Sequence, residues 1–149
     1  MMDDALHRAL GAQLFNKAWD LIERADRSAD DDIELLLSAM TSRWHWTQVG
    51  GPEEVATGDW QIAHVASLLG FGDLATVFAE RNLAAAEGMN WSGWRLASAH
   101  EGMARASAAR GEADRRRRHL EAARQALESE PDPGERAVIA AQIDSVPDV

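Results

Sequence analysis

The sequence predicts an all-α protein, a right-handed array of about seven antiparallel helices paired as hairpins and closed by a C-terminal capping helix. Three observations carry this expectation. Alanine is the commonest residue in a chain that is 46% hydrophobic and 6% aromatic, and alanine-rich chains with few β-branched residues favour helix over strand. Apolar residues recur at intervals of three and four, the spacing that gathers side chains on one helix face. Two successive stretches also repeat one another at a fixed offset. At 149 residues the chain is expected to form a single domain, 1–149, long enough to bury a core.

The first helix is expected from about Asp3 to Ala25, with Leu6, Leu10, Leu14, Ala18 and Ile22 as its apolar stripe and Phe15 and Trp19 beside it. Gly11 inside it should weaken the helix by about 1 kcal/mol relative to alanine. Ser28 starts the second helix, and Asp30, Asp31 and Asp32 suit its electropositive first turn. Its expected stripe is Ile33, Leu36, Leu37, Met40 and Trp44, and Val49-Gly50-Gly51-Pro52 ends it, closing an N-terminal helix pair over 1–49. Pro52, followed by Glu53 and Glu54, suits the first turn of the third helix. Gly70-Phe71-Gly72 stops that helix, and Asp73 is expected to cap the fourth, which ends at Gly88.

Ser92 or Asn90 should cap the fifth helix, which Gly111 ends. The sixth runs from about Glu112 to Ser129, with Ala113, Leu120, Ala123 and Leu127 inside. Pro131-Asp132-Pro133-Gly134 breaks the chain before the last short helix, 132–146, which carries Val138, Ile139, Gln142, Ile143 and Val146.

The turn at Gly70 matches the turn at Gly111, 41 residues on. At that offset Val55 falls on Leu96, Ala63 on Ala104 and Glu80 on Glu121, so the hairpins 53–88 and 94–129 read as copies of one unit. With small residues at Ala63, Ala66 and Ala104, a glycine at the inter-helix turn and alanine-rich second helices, the chain resembles tetratricopeptide repeats over about 50–130. It departs from them in its longer period and in Ala113, which stands where an aromatic is expected near the turn. The pair His45-Trp46 and the run Gly58-Asp59-Trp60-Gln61 also resemble those of a family of small bacterial helical proteins. That second resemblance implies no activity.

The formal net charge of −10 repels phosphate backbones, so nucleic acid is not an expected partner. No cysteine is present, which removes disulfides and thiolate chemistry. No apolar run approaches the roughly 20 residues that span a bilayer. Met1-Met2-Asp3-Asp4 lacks the basic and apolar regions of a signal peptide, so a cytoplasmic location away from membranes is expected. The chain holds no Gly-x-Ser-x-Gly, no paired Ser/His signal and no phosphate-binding glycine loop. No catalytic residue, cofactor or resident metal is therefore expected.

Binding residues are sought in the Trp- and His-rich stretch Arg43–His64. Trp44 and Trp46 lie about 200° apart on a helix, so one of them must leave the buried face. Trp91 and Trp94 pose the same question at the start of the fifth helix, as anchors or as filling between repeats. First helices of stacked hairpins line a concave face, which nominates Arg43, Trp44, His45, Trp60, His64, His100, Glu101 and Arg105 as a binding set. Aromatic anchors with a few charged groups suit a peptide or protein segment. A homodimer using alanine-rich faces of the fourth and sixth helices is the first alternative, and a small-ligand or metal site at His45, His64 and His100 the second. The run Arg115–Arg118 is expected to spread around its helix and pair with Glu112, Asp114, Glu121 and neighbouring hairpins.

Overall fold

In the computed structural model, which describes all 149 residues, helices begin where the sequence supplies start signals. They are α1 (Asp4–Glu23), α2 (Ala29–Val49), α3 (Pro52–Leu68), α4 (Gly72–Gly88), α5 (Gly93–Ala109), α6 (Ala113–Leu127) and α7 (Pro133–Asp144). There is no strand. The Asp3 carboxylate accepts the Leu6 N–H at 2.8 Å. Ser28 and Asp31 form a reciprocal capping box on α2, satisfying two donors that a helix start leaves free. Pro52 opens α3.

Three helix ends share one turn. The N–H groups of Phe71, Trp91 and Glu112 donate to Ala66, Ala86 and Ser107 carbonyls at 2.8, 2.9 and 2.9 Å. The residues before them, Gly70, Asn90 and Gly111, take φ of 84°, 53° and 73°, the left-handed conformation this helix stop needs.

Two capping expectations are corrected. Asp73 does not cap α4, because the helix already starts at Gly72 with Phe71 at the cap position and no side-chain cap. Asp73 pairs instead with Arg110 of the α5–α6 turn. At α5, Ser92 holds the cap position without a side-chain bond. A residue distant in sequence supplies the acceptor: the buried Glu130 carboxylate takes the Trp94 N–H at 2.9 Å.

The stripes expected on α1 and α2 are also displaced. On α1 the buried residues are His7, Gly11, Ala18 and Leu21. On α2 they are Leu35, Ser38, Ala39, Ser42 and His45, while Ile33 and Leu37 are 59% and 55% exposed. Small or polar side chains share the buried faces of α1 and α2 with Leu21 and Leu35, while Ile33 and Leu37 stand outside them. Ser42 Oγ donates to the Gly11 carbonyl at 2.7 Å. A Cβ on Gly11 would stand 2.8 Å from Trp46 Nε1, so glycine here lets the indole lie on α1. Gly58 does the same for α2 and α3, since its Cβ would meet Arg43 Cγ at 2.7 Å and Arg43 Cα at 3.3 Å.

Neighbouring helices pack as pairs, and α1, α3, α5 and α7 also touch in series. They form one layer, with α2, α4 and α6 behind it. The core is correspondingly divided. Ala18, Leu35, Ile62 and Val65 belong to one cluster, Ala63, Ala79 and Met103 to a second, and Ala97, Leu120, Ile139 and Ile143 to a third. Pro52 and Gly93 open α3 and α5, and Gly72 and Ala113 open α4 and α6, so both helices of the hairpin repeat at the 41-residue offset. This arrangement is compatible with a helical-repeat fold. No helix is long and apolar enough to cross a membrane.

Alanine at an exposed mid-helix glycine stabilises by about 1 kcal/mol. At Gly11 the sign should reverse, because the methyl group displaces the Trp46 indole. Gly11→Ala should lower stability by about 1–3 kcal/mol, the usual range for overpacking, measured by urea unfolding. A raised midpoint would show that Trp46 is free to move.

Candidate functional site

A cleft of about 310 Å³ opens on the layer formed by the odd-numbered helices. Its aromatic lining is Phe15 of α1, Trp60 of α3, Trp91 before α5 and Trp94 in its first turn. The 41-residue register explains why side chains from three helices meet here. Glu53, Trp94 and Glu135 occupy equivalent positions on α3, α5 and α7, as do Thr57, Ser98 and Ile139. Trp60 and Gln142 hold a further equivalent position in the lining, and the α5 residue between them in that series is Glu101. Thus α7 continues the first-helix layer by one more turn of the same pattern.

Arg95 is the one cationic side chain in the lining. Its guanidinium carbon lies 5.0 Å from the Trp91 ring centre and 5.5 Å from that of Trp94. Its Nη1 is 3.6 Å from Glu53 Oε1. Cations are drawn to the electron-rich faces of indole rings, so the two tryptophans and the carboxylate share one positive charge. Glu135, exposed at the start of α7, makes no ion pair.

Behind Trp60 lies a buried polar group. Trp19, Trp60 and His64 pack against one another with tilted rings, their centres 5.5–5.6 Å apart. Glu101 is fully buried and its Oε1 accepts from Arg105 Nε at 2.7 Å. Arg105 Nη2 reaches across to the Gln142 carbonyl at 3.2 Å and Ser145 Oγ at 2.9 Å, tying α5 to α7. Burial raises the Glu101 pKa, and Arg105 opposes that shift. The Trp60 indole N–H adds a smaller downward pull, although neither Trp60 Nε1 nor Glu101 Oε2 has a partner within hydrogen-bonding geometry. His64 Nδ1 and Gln142 Oε1 are likewise buried and unpaired.

The eight nominated residues fall into separate places. Trp60 lines the cleft, and His64, Glu101 and Arg105 form the group behind it. Arg43 lies away from the cleft on α2, where its Nε bonds the buried Asp59 of α3 at 2.6 Å and its guanidinium lies 5.9 Å from the Phe78 ring centre. His45 is buried against His7 of α1, Nδ1 to Nδ1 at 2.9 Å, where one nitrogen must donate and the other accept. Trp44 beside it is 52% exposed and Trp46 packs on α1; one of the pair leaves the buried face as expected, but it is Trp44, which the sequence placed in the buried stripe of α2. His100 turns to α6 and meets His119 at 3.1 Å.

His45, His64 and His100 therefore do not form a common ligand set, and no group of three His, Asp or Glu side chains is arranged to hold a metal ion. The arginine run disperses as expected: Arg115 pairs with Glu80 and Glu112, Arg116 with Asp148 and Arg117 with Asp114. Glu121 takes no part.

Phe15, Glu53, Arg95 and Glu135 line the cleft but lie outside the binding set expected from the sequence. The signal that finds three of the four was present. Extending the 41-residue offset from Glu53 through Trp94 reaches Glu135, and Arg95 is the neighbour of Trp94.

No protein family, curated protein or solved structure matches the chain.

Burial lowers the His64 pKa from 6.5 to about 3, and the nearby Arg105 charge assists. Between those values the unfolded chain binds a proton that the folded chain refuses. Stability from His64 is thus complete above pH 6.5 and is lost as pH falls towards 3. Its slope should approach about 1.4 kcal/mol per pH unit. Burial lowers the His45 and His100 pKa values in the same direction, and His119 falls to about 4. Urea unfolding between pH 7 and 5 should therefore show acid destabilisation, with a shallower slope in His64→Gln. An unchanged slope would mean that His64 titrates normally in the folded protein.

Proposed function

We propose that the protein is a non-catalytic helical-repeat module, tetratricopeptide-like in its hairpins, that holds a protein or peptide segment in the cleft between α3, α5 and α7. The observation that carries this reading is the wall of Phe15, Trp60, Trp91 and Trp94 on the face formed by the first helices of the hairpins. Partly exposed indoles in a concave setting offer large contact area at low conformational cost. Glu53, Arg95 and Glu135 at the cleft can orient a chain by charge. Within the nominated set, Trp60 is the direct contact, and His64, Glu101 and Arg105 fix the wall it belongs to.

Selection from a displayed random-peptide library tests the reading. Wild-type protein should enrich peptides that quench tryptophan fluorescence, and Trp94→Ala should weaken them by tenfold or more, about 1.4 kcal/mol, with far-UV circular dichroism unchanged. Failure to enrich any peptide, or equal binding by Trp94→Ala, would overturn it.

A second reading, a homodimer, has its own support away from the alanine faces of α4 and α6. Ile33, Leu36 and Leu37 of α2 adjoin Leu68, Leu69 and Phe71 at the α3–α4 turn, and Ile33, Leu37 and Phe71 are each more than half exposed. Around them Arg27 pairs with Asp32, and Arg110 with Asp73, so this patch of an acidic chain presents a neutral rim to a second copy. Contiguous exposed apolar surface of this kind marks contact sites. Sedimentation should show a dimer that Leu37→Arg converts to monomer without loss of helix. A wild-type monomer throughout 1–200 μM, a range chosen at roughly the micromolar affinity of modest interfaces, would exclude it.

A further inference from the structure

The geometry points to a guanidinium group, the side chain of an arginine in an extended peptide, as the occupant of the cleft beside Trp91 and Trp94. This inference rests on the cleft being the binding site and names the chemistry it selects.

Three features converge on it. The walls are indole rings, whose faces attract cations. The charged lining is two carboxylates, Glu53 and Glu135, against one guanidinium, Arg95, in a chain of net charge −10; an arriving cation meets favourable potential and an arriving anion does not. The third feature is Arg95 itself. It already sits within 5.0 and 5.5 Å of two indole rings and 3.6 Å from Glu53, which shows that a flat cation fits these surfaces. Its side chain is 40% exposed and it comes from the helix that forms the wall. It therefore behaves as a resident competitor that can swing to solvent while an arginine of the ligand takes its stacking position.

Glu135, without an ion pair of its own, offers the incoming guanidinium a second carboxylate. The guanidinium has five N–H donors and no acceptor, and its planar fork suits a carboxylate while its face lies on an indole. A lysine ammonium has the charge but neither the plane nor the fork.

The role of Arg95 gives the test its sign. Binding of the blocked pentapeptide Ala-Arg-Ala-Arg-Ala is followed by tryptophan fluorescence and by the indole N–H resonances of the full-length protein. Its lysine and glutamate counterparts serve as controls. The arginine peptide should bind best and the glutamate peptide worst. Removing the competitor in Arg95→Gln should tighten the arginine peptide about two- to fivefold, the equivalent of one exposed cation–π contact. Glu135→Gln should weaken it about two- to fivefold, as expected for loss of one exposed ion pair.

Weaker binding in Arg95→Gln, or preference for the glutamate peptide, would overturn the inference in favour of an anionic ligand held by Arg95. Absence of arginine-peptide binding, alongside library-selected peptides that lack Arg and Lys yet depend on Trp94, would overturn it while leaving the peptide-binding reading intact. A library that enriches nothing would remove both.

Discussion

Six consecutive residues of α3, Gln61 to Ala66, are buried, and six consecutive helical residues point in every direction around the axis. A helix buried all round needs neighbours all round. Here α1, α2, α4 and α5 all pack against it. The same constraint dictates small residues on and around α3, because four neighbours crowd one another as well as the helix they cover. Ala63 and Ala66 lie at its contact with α4 and α5, and Gly58 lets Arg43 pass close to the backbone. The cleft follows directly: α3 is held inside the layer, so only its first turns and Trp60 reach the open face.

Such close packing admits polar side chains only where the backbone can serve them. Ser42 and Asn82 bond the carbonyls of Gly11 and Ala56, and Gln61 Nε2 bonds that of Phe15. Each crosses from one helix to another, so these bonds fix which faces meet as well as how closely. Asp59 is buried yet takes Arg43 at 2.6 Å, with Arg81 at 3.7 Å. A buried ion pair contributes little net stability but is costly to break on one side, which suits a contact that sets the register of α2 on α3. The polar group behind Trp60 is different. Glu101 has Arg105, but His64 Nδ1, Trp60 Nε1 and Gln142 Oε1 find no partner. Imperfectly satisfied polar atoms gather behind the cleft wall, where the Glu101–Arg105 pair also ties α5 to α7.

Much of the architecture was legible in the sequence because its signals are local. Ser28, Pro52, Gly50, Gly70 and Gly111 each act on the few residues around them, and the helices start and stop accordingly. The hairpin repeat was legible for a related reason, since equal spacing produces equal geometry. Facing was much less legible on α1 and α2. Hydrophobicity selects large residues such as Ile33 and Leu37, whereas the closest helix contact selects small ones such as Gly11, Ala39 and Ser42. On an isolated helix the two criteria cannot be ranked, because the distance to the partner helix decides between them.

By itself the sequence determined seven helices, their order, the turns between them and the offset that places equivalent residues on α3, α5 and α7. The tertiary structure alone decided that His45, His64 and His100 stand apart. It also decided that Glu130 caps a helix 36 residues away in sequence, and that Phe15, Trp60, Trp91, Trp94 and Arg95 share one cleft. Helix limits are set by chain-local hydrogen bonds and dihedral preferences. Which side chains meet across helices depends on how closely the helices approach and how they are rotated, and both emerge only when every neighbour of α3 is in place.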